Sequence, residues 1–159
     1  KLRYEADTTT PAPVPPELPP GTEPTTVHCG QVLTQSTLVG NDLDNCPGEG
    51  LVVGASDIVV DLGGHTIDGP DYLIENASGQ EEGFPAGIRN SGHTNVVIRN
   101  GTVRNYGYGV MLTAGTTHTV VEDMTLERNA LAGVSPASTA AHVSLARPRR
   151  SRWPRRPAA

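Results

Sequence analysis

A glycine followed at once by an apolar residue recurs along this chain, at Gly50-Leu51, Gly87-Ile88, Gly109-Val110 and Gly133-Val134, and no other feature constrains its fold as strongly. The repeat advances by 22 residues from Ile88 to Val110 and by 24 from Val110 to Val134. After the first three pairs, 10 or 11 residues beyond the apolar member, come Leu62, Ile98 and Val121, and five residues later Ile67, Val103 and Leu126. A unit of this length, built of short strands between Gly and Asn turns, cannot bury its apolar face alone, so successive units must stack. Stacking sets like strands one rung apart, about 4.8 Å, in parallel sheets. The expectation is an all-β chain, a short right-handed parallel β-helix of about three coils, with Leu62, Ile98 and Val121 directly over one another.

Within a unit, Ile58, Val60 and Leu62 alternate with Val59 and Asp61, the pattern of a strand with one buried face. Thr66, Thr102 and Thr125 fall at equivalent positions, followed by the inward Ile67, Val103 and Leu126 and then by Asp68, Arg104 and Glu127. That last column runs acid, base, acid, and unlike charges opposed on adjacent strands contribute about 0.2 to 1 kcal/mol each. The first unit is longer than the others: 21 residues separate Ile67 from Ile88, against seven between Val103 and Val110. The difference is expected to leave the coil as an inserted loop at about 70–85, a place where function concentrates.

The 159 residues, 36% hydrophobic with 18 Gly and 14 Pro, suffice for one domain with a modest core. Residues 1–26 read as a Pro/Thr-rich disordered linker, too poor in apolar surface to offset chain entropy. Residues 27–134 form the repeat with an N-terminal cap region. After Val134 the periodicity stops, and 135–159 read as an Ala/Arg/Pro-rich tail, disordered or out of frame, with a basic polyanion-binding tail as the alternative. The start at Lys1 suits a processed protein or an excised fragment. All 17 acidic residues precede residue 135, together with six of the 12 Lys and Arg, so the body is more acidic than the net charge of −5 suggests. An acidic body disfavours nucleic acid and anionic membrane and is compatible with cations or neutral glycans. No apolar run is long enough for membrane insertion. Oligomeric state is left open, although an uncapped end offers strands for pairing with another copy. Cys29 and Cys46 are spaced so that a disulfide can close, the alternative being two unrelated buried thiols; neither a CxxC pair nor a His-Cys cluster points to metal.

Two segments, CGQVLTQSTLVGNDLDNCPGEGLVVGASDIVVDLGGHTIDG and NVVIRNGTVRNYGYGV, resemble the bacterial, actinobacterial-type right-handed parallel β-helix repeat proteins of the pectin-lyase-like superfamily. The resemblance covers residues 29–134 and implies a secreted or cell-surface protein that binds or processes polysaccharide. Members include pectate lyases, polygalacturonase-type hydrolases and alginate epimerases, and usually have many more coils, which implies a chain incomplete as an enzyme. The other class of function is a non-catalytic structural or surface repeat protein, or a remnant without activity.

Lyases of this superfamily hold calcium with Asp or Glu and use Arg or Lys as base, which directs attention to Asp71, Tyr72, Glu75, Glu81 and Glu82 in the inserted loop and to Arg104 nearby, with Arg89 and Arg99 on adjoining coils. These are the candidate substrate-binding residues; no catalytic residue is assigned. No resident cofactor or metal ligand set is expected, calcium being the one candidate, since no spacing in the loop matches a calcium cage. Asp61, with Asn100 and Asp123 as its expected neighbours, lacks the Gly-His-Gly turn of the hydrolases: Gly64-His65 runs into Thr66 and Gly92-His93 into Thr94. His93 and His118 fall near one turn on successive coils, where two imidazoles could begin a zinc or copper site, although hydrogen-bonded turn histidines are the simpler reading.

Overall fold

The computed structural model describes residues 13–71 and 84–135 and the backbone of 143–146. The described residues form strands and turns without a helix, and so without a helix long and apolar enough to cross a membrane. The strands make two sheets, and among the described residues they pair in parallel. One runs β1 (Pro24–Thr25), β3 (Thr37–Val39), β5 (Val59–Asp61), β8 (Thr94–Arg104), β10 (Thr117–Glu127) and β12 (Val143–Ala146), with β6 (Thr66–Asp68) also on β8. The other runs β2 (Gln31–Leu33), β4 (Leu51–Val53), β7 (Ala86–Asn90), β9 (Tyr108–Leu112) and β11 (Ala132–Ser135). The chain passes from one sheet to the other and back, adding strands to each in turn.

The glycine-apolar pairs stack as their spacing implies. Leu51 pairs with Ile88, Ile88 with Val110 and Val110 with Val134. The glycines explain themselves by how closely the opposite sheet and the neighbouring strand of their own sheet approach them. A Cβ at Gly50 would stand 2.6 Å from Ile67 Cγ2, one at Gly87 would overlap the Val103 side chain, and one at Gly109 would meet the Gly133 carbonyl at 2.5 Å. Without a side chain in this column, the inward residues of the opposite sheet can approach the backbone itself. Those residues, Ile67, Val103 and Leu126, are also in register, as are Thr66, Thr102 and Thr125 outside them.

The column expected at Leu62 is corrected. Val60, not Leu62, pairs with Ile98, which pairs with Val121. Gly63 and Gly64 both have positive φ, 58° and 84°, and bulge out of the first unit, so that two more residues separate Val60 from Ile67 than separate Ile98 from Val103. Leu62 is still fully buried, but its nitrogen bonds the Arg99 carbonyl and its side chain fills the space below Gly101. Asp61 consequently pairs in register with Arg99, which pairs with Glu122, while its carboxylate also accepts a hydrogen bond from Asn100, the expected neighbour, one residue further along β8. The alternation within this strand is also hidden by burial, since Val59 and Asp61 are covered on the outer side.

Asn95, Asn100 and Asn105 on β8 and its end, and His118, Asp123 and Arg128 on β10 and its end, all adopt positive φ between 49° and 61°. They recur every five residues, and the register sets each of the first three beside one of the second. Asn100 divides β8 into a first half that carries β5 and a second that carries β6. Asparagine tolerates this left-handed region because its short amide finds local partners. Here each does so one strand away: Asn95 donates to Asp57 at 2.7 Å, Asn100 to Asp61 at 3.1 Å and Asn105 to Asp68 at 2.6 Å.

Cys29 and Cys46 are joined in a disulfide with Cα atoms 5.5 Å apart, resolving the alternative left by their spacing. Strand pairing begins at Pro24–Thr25, against Leu38–Val39, inside the stretch read as a linker. It resumes at Val143–Ala146, where Leu145 pairs with Val121, inside the stretch read as a tail where the periodicity had been expected to stop. A backbone ladder needs only matched spacing and no apolar pattern, which is why composition concealed this strand.

Candidate functional site

The dipeptide Arg-Asn follows an inward apolar residue three times, at Ile88-Arg89-Asn90, Ile98-Arg99-Asn100 and Val103-Arg104-Asn105. Alternation turns each arginine to the outer face. Each meets an acid one strand below: Arg89 Nη2 lies 2.6 Å from Glu49, Arg99 Nε 2.9 Å from Asp61 and Arg104 Nη2 3.5 Å from Asp68. The Asp68–Arg104 juxtaposition was legible in the acid-base column; the other two depend on the bulge and on a turn residue, Glu49, that periodicity does not mark.

The Asp61 carboxylate is engaged at both oxygens. Its Oδ1 accepts from the Gly63 nitrogen at 2.8 Å, while Oδ2 accepts from both Arg99 and Asn100. Asp68 is shared between Asn105 and Arg104 in the same manner. The three arginines singled out for a base are therefore each engaged by a neighbouring carboxylate in a charge-assisted contact.

Beside this row Asp42 reaches up one strand. Its Oδ1 accepts from the Thr66 nitrogen at 2.9 Å and lies 3.1 Å from His65 Nδ1. The Thr66 amide first, and the His65 hydrogen bond second, hold the Asp42 carboxyl below its ordinary value of 3.8. Asp42 is the residue most clearly missed from sequence: nothing in QSTLVGNDLDN distinguishes it from the other turn acids until the two strands are brought together.

The described residues stop three positions after Asp68, at the start of the stretch expected to be inserted. Asp71, exposed and with φ of 56°, is the last described residue before it, while Tyr72, Glu75, Glu81 and Glu82 lie outside the described residues. Arg104 is thus the one proposed binding residue placed within the row, its side chain 40% exposed and its Nε buried without a hydrogen-bond partner among the described residues. Tyr106 is fully buried, its hydroxyl without a hydrogen-bond partner among the described residues. Burial chiefly, and then the Glu49 and Asp68 carboxylates, push its phenol well above the usual tyrosine range.

The histidines do not form the stacked pair considered above. Thr94 pairs with Thr117, which sets His118 beside Asn95, two positions beyond the partner of His93. His93 closes a turn instead, its backbone nitrogen and carbonyl both bonded to the Asn90 side chain. Among the described residues no group of three or more His, Cys, Asp or Glu is arranged to hold a metal ion. No family model matches this chain, and neither a curated protein nor a solved structure matches it.

Proposed function

We propose that this chain is a short right-handed parallel β-helix of the pectin-lyase-like kind, exported from the cell, whose outer face binds polysaccharide next to the inserted loop. Two sheets fed alternately by one chain support the solenoid reading, and parallel crossovers are right-handed in nearly all proteins. The disulfide is in keeping with an oxidising compartment.

The observation that carries the binding reading is the outward row of Thr66 and Asp68, Thr102 and Arg104, and Thr125 and Glu127 on three successive strands. It offers hydroxyls, carboxylates and a guanidinium at the strand spacing, about 4.8 Å, and sugar hydroxyls can donate to and accept from such a surface. The pairing of Arg89, Arg99 and Arg104 with acids favours binding over lyase chemistry, because each guanidinium is already engaged by a carboxylate of this chain.

Titration with a panel of neutral and uronic-acid polymers, with and without calcium, tests this. Saturable binding weakened by Arg104→Ala, without absorbance from unsaturated products, is the expected result. No binding across the panel would leave the non-catalytic structural role in its place.

A further inference from the structure

Val59 and Val97 stand side by side on β5 and β8 and are buried, yet neither belongs to the interior cluster that takes Val60, Val96 and Ile98. Alternation turns them to the outer face of the sheet, so something outside the sheet covers them. The chain itself reaches this place at Val14, whose carbonyl accepts a 3.1 Å hydrogen bond from Asn95 Nδ2. Pro16 and Leu18 are half-buried, while the Val14 side chain, 85% exposed, points away.

The dimensions agree. Thr22 bonds the Pro19 carbonyl through both its nitrogen and its hydroxyl, turning the chain just ahead of β1. Since β1, β3, β5 and β8 are successive neighbours, the climb from β1 to β8 is about 14 Å. The five residues from Pro19 back to Val14 span about 16 Å as polyproline II. Proline suits a crossing over strands, because it brings no backbone N–H to be stranded against an apolar surface. Residues that precede prolines, here Val14, Pro15 and Leu18, are held extended.

We propose that Pro13–Leu18 is a strap: an extended proline-rich segment of the chain docked across the outer face of the first sheet, with Val59 and Val97 as its docking surface. The strap ties the strands from β1 to β8 together from outside, and it stands or falls independently of glycan binding.

A nitroxide on the full chain carrying Val14→Cys tests it, since Cys29 and Cys46 are already paired. The amide signals of Asn95 to Ile98 should lose intensity, while those of Val32 and Val52 on the other sheet keep theirs. Val97→Asp should restore the lost signals by displacing the strap. If that variant loses its dispersed spectrum, Asn95→Ala serves, with partial recovery expected. Equal intensity at Asn95 to Ile98 and at Val32, or broadening unchanged in the folded variant, overturns the proposal.

Discussion

Gly87 packs so closely against Val103 that a methyl group on its Cα would overlap the valine side chain and stand 2.8 Å from the Gly109 carbonyl. At Gly50, Gly87 and Gly109 the glycine is therefore a packing requirement, set by the opposite sheet and by the carbonyl of the next glycine in its own sheet, whereas Gly133 would meet only ordinary contacts. Gly87→Ala should cost about 3 kcal/mol, at the upper end for overpacking a filled interior. Gly64→Ala provides the contrast, with no atom within 4 Å but φ of 84°, and should cost about 1–2 kcal/mol through backbone strain alone. Denaturant midpoints of the two variants measure the difference, and equal midpoints would discard the packing account.

Asp61 is 5% exposed and accepts from three groups, whereas the Asp68–Arg104 contact is long and its arginine wetter. A double-mutant cycle on Asp61 and Arg99 should return a coupling of about 1–3 kcal/mol, and one on Asp68 and Arg104 less than about 1 kcal/mol. The reverse order would contradict the geometry.

The Asp42 carboxyl is held below 3.8 in the folded chain, so the unfolded chain takes up its proton first as pH falls. Its contribution to stability is complete above the unfolded value and disappears as pH drops through the lower folded one. The melting temperatures of the parent and Asp42→Asn should differ at pH 6 and converge toward pH 2. A gap that widens on acidification would reverse the assignment.

The Cys29–Cys46 bond closes a 17-residue separation that contains β2 and β3. Replacing both cysteines with serine should lower stability by roughly 3 kcal/mol. Hydrogen exchange should quicken first at Leu33 and Val39, with Val110 and Leu112 keeping their protection.

Val103 is fully buried between the glycine column and its own neighbours Ile67 and Leu126. Val103→Asp should abolish the cooperative thermal transition, because the interior offers the carboxylate no partner. A variant that melts like the parent would remove Val103 from the core.

Gly-apolar spacing and the Ile67, Val103 and Leu126 column were readable in the sequence because packing between strands repeats a chemistry at a fixed interval, and intervals survive in one dimension. The acid-base column at Asp68 and Arg104 was readable for the same reason. Leu62 was misplaced because two glycines spent outside the ladder shift the register without disturbing the apolar pattern on either side. The Asp42 to His65 contact, the Glu49 to Arg89 pair and the cover over Val59 and Val97 join residues far apart in the chain. Local sequence carries the propensity to form a rung; which outward side chains meet on neighbouring rungs depends on loop lengths, and only the assembled structure adds those up.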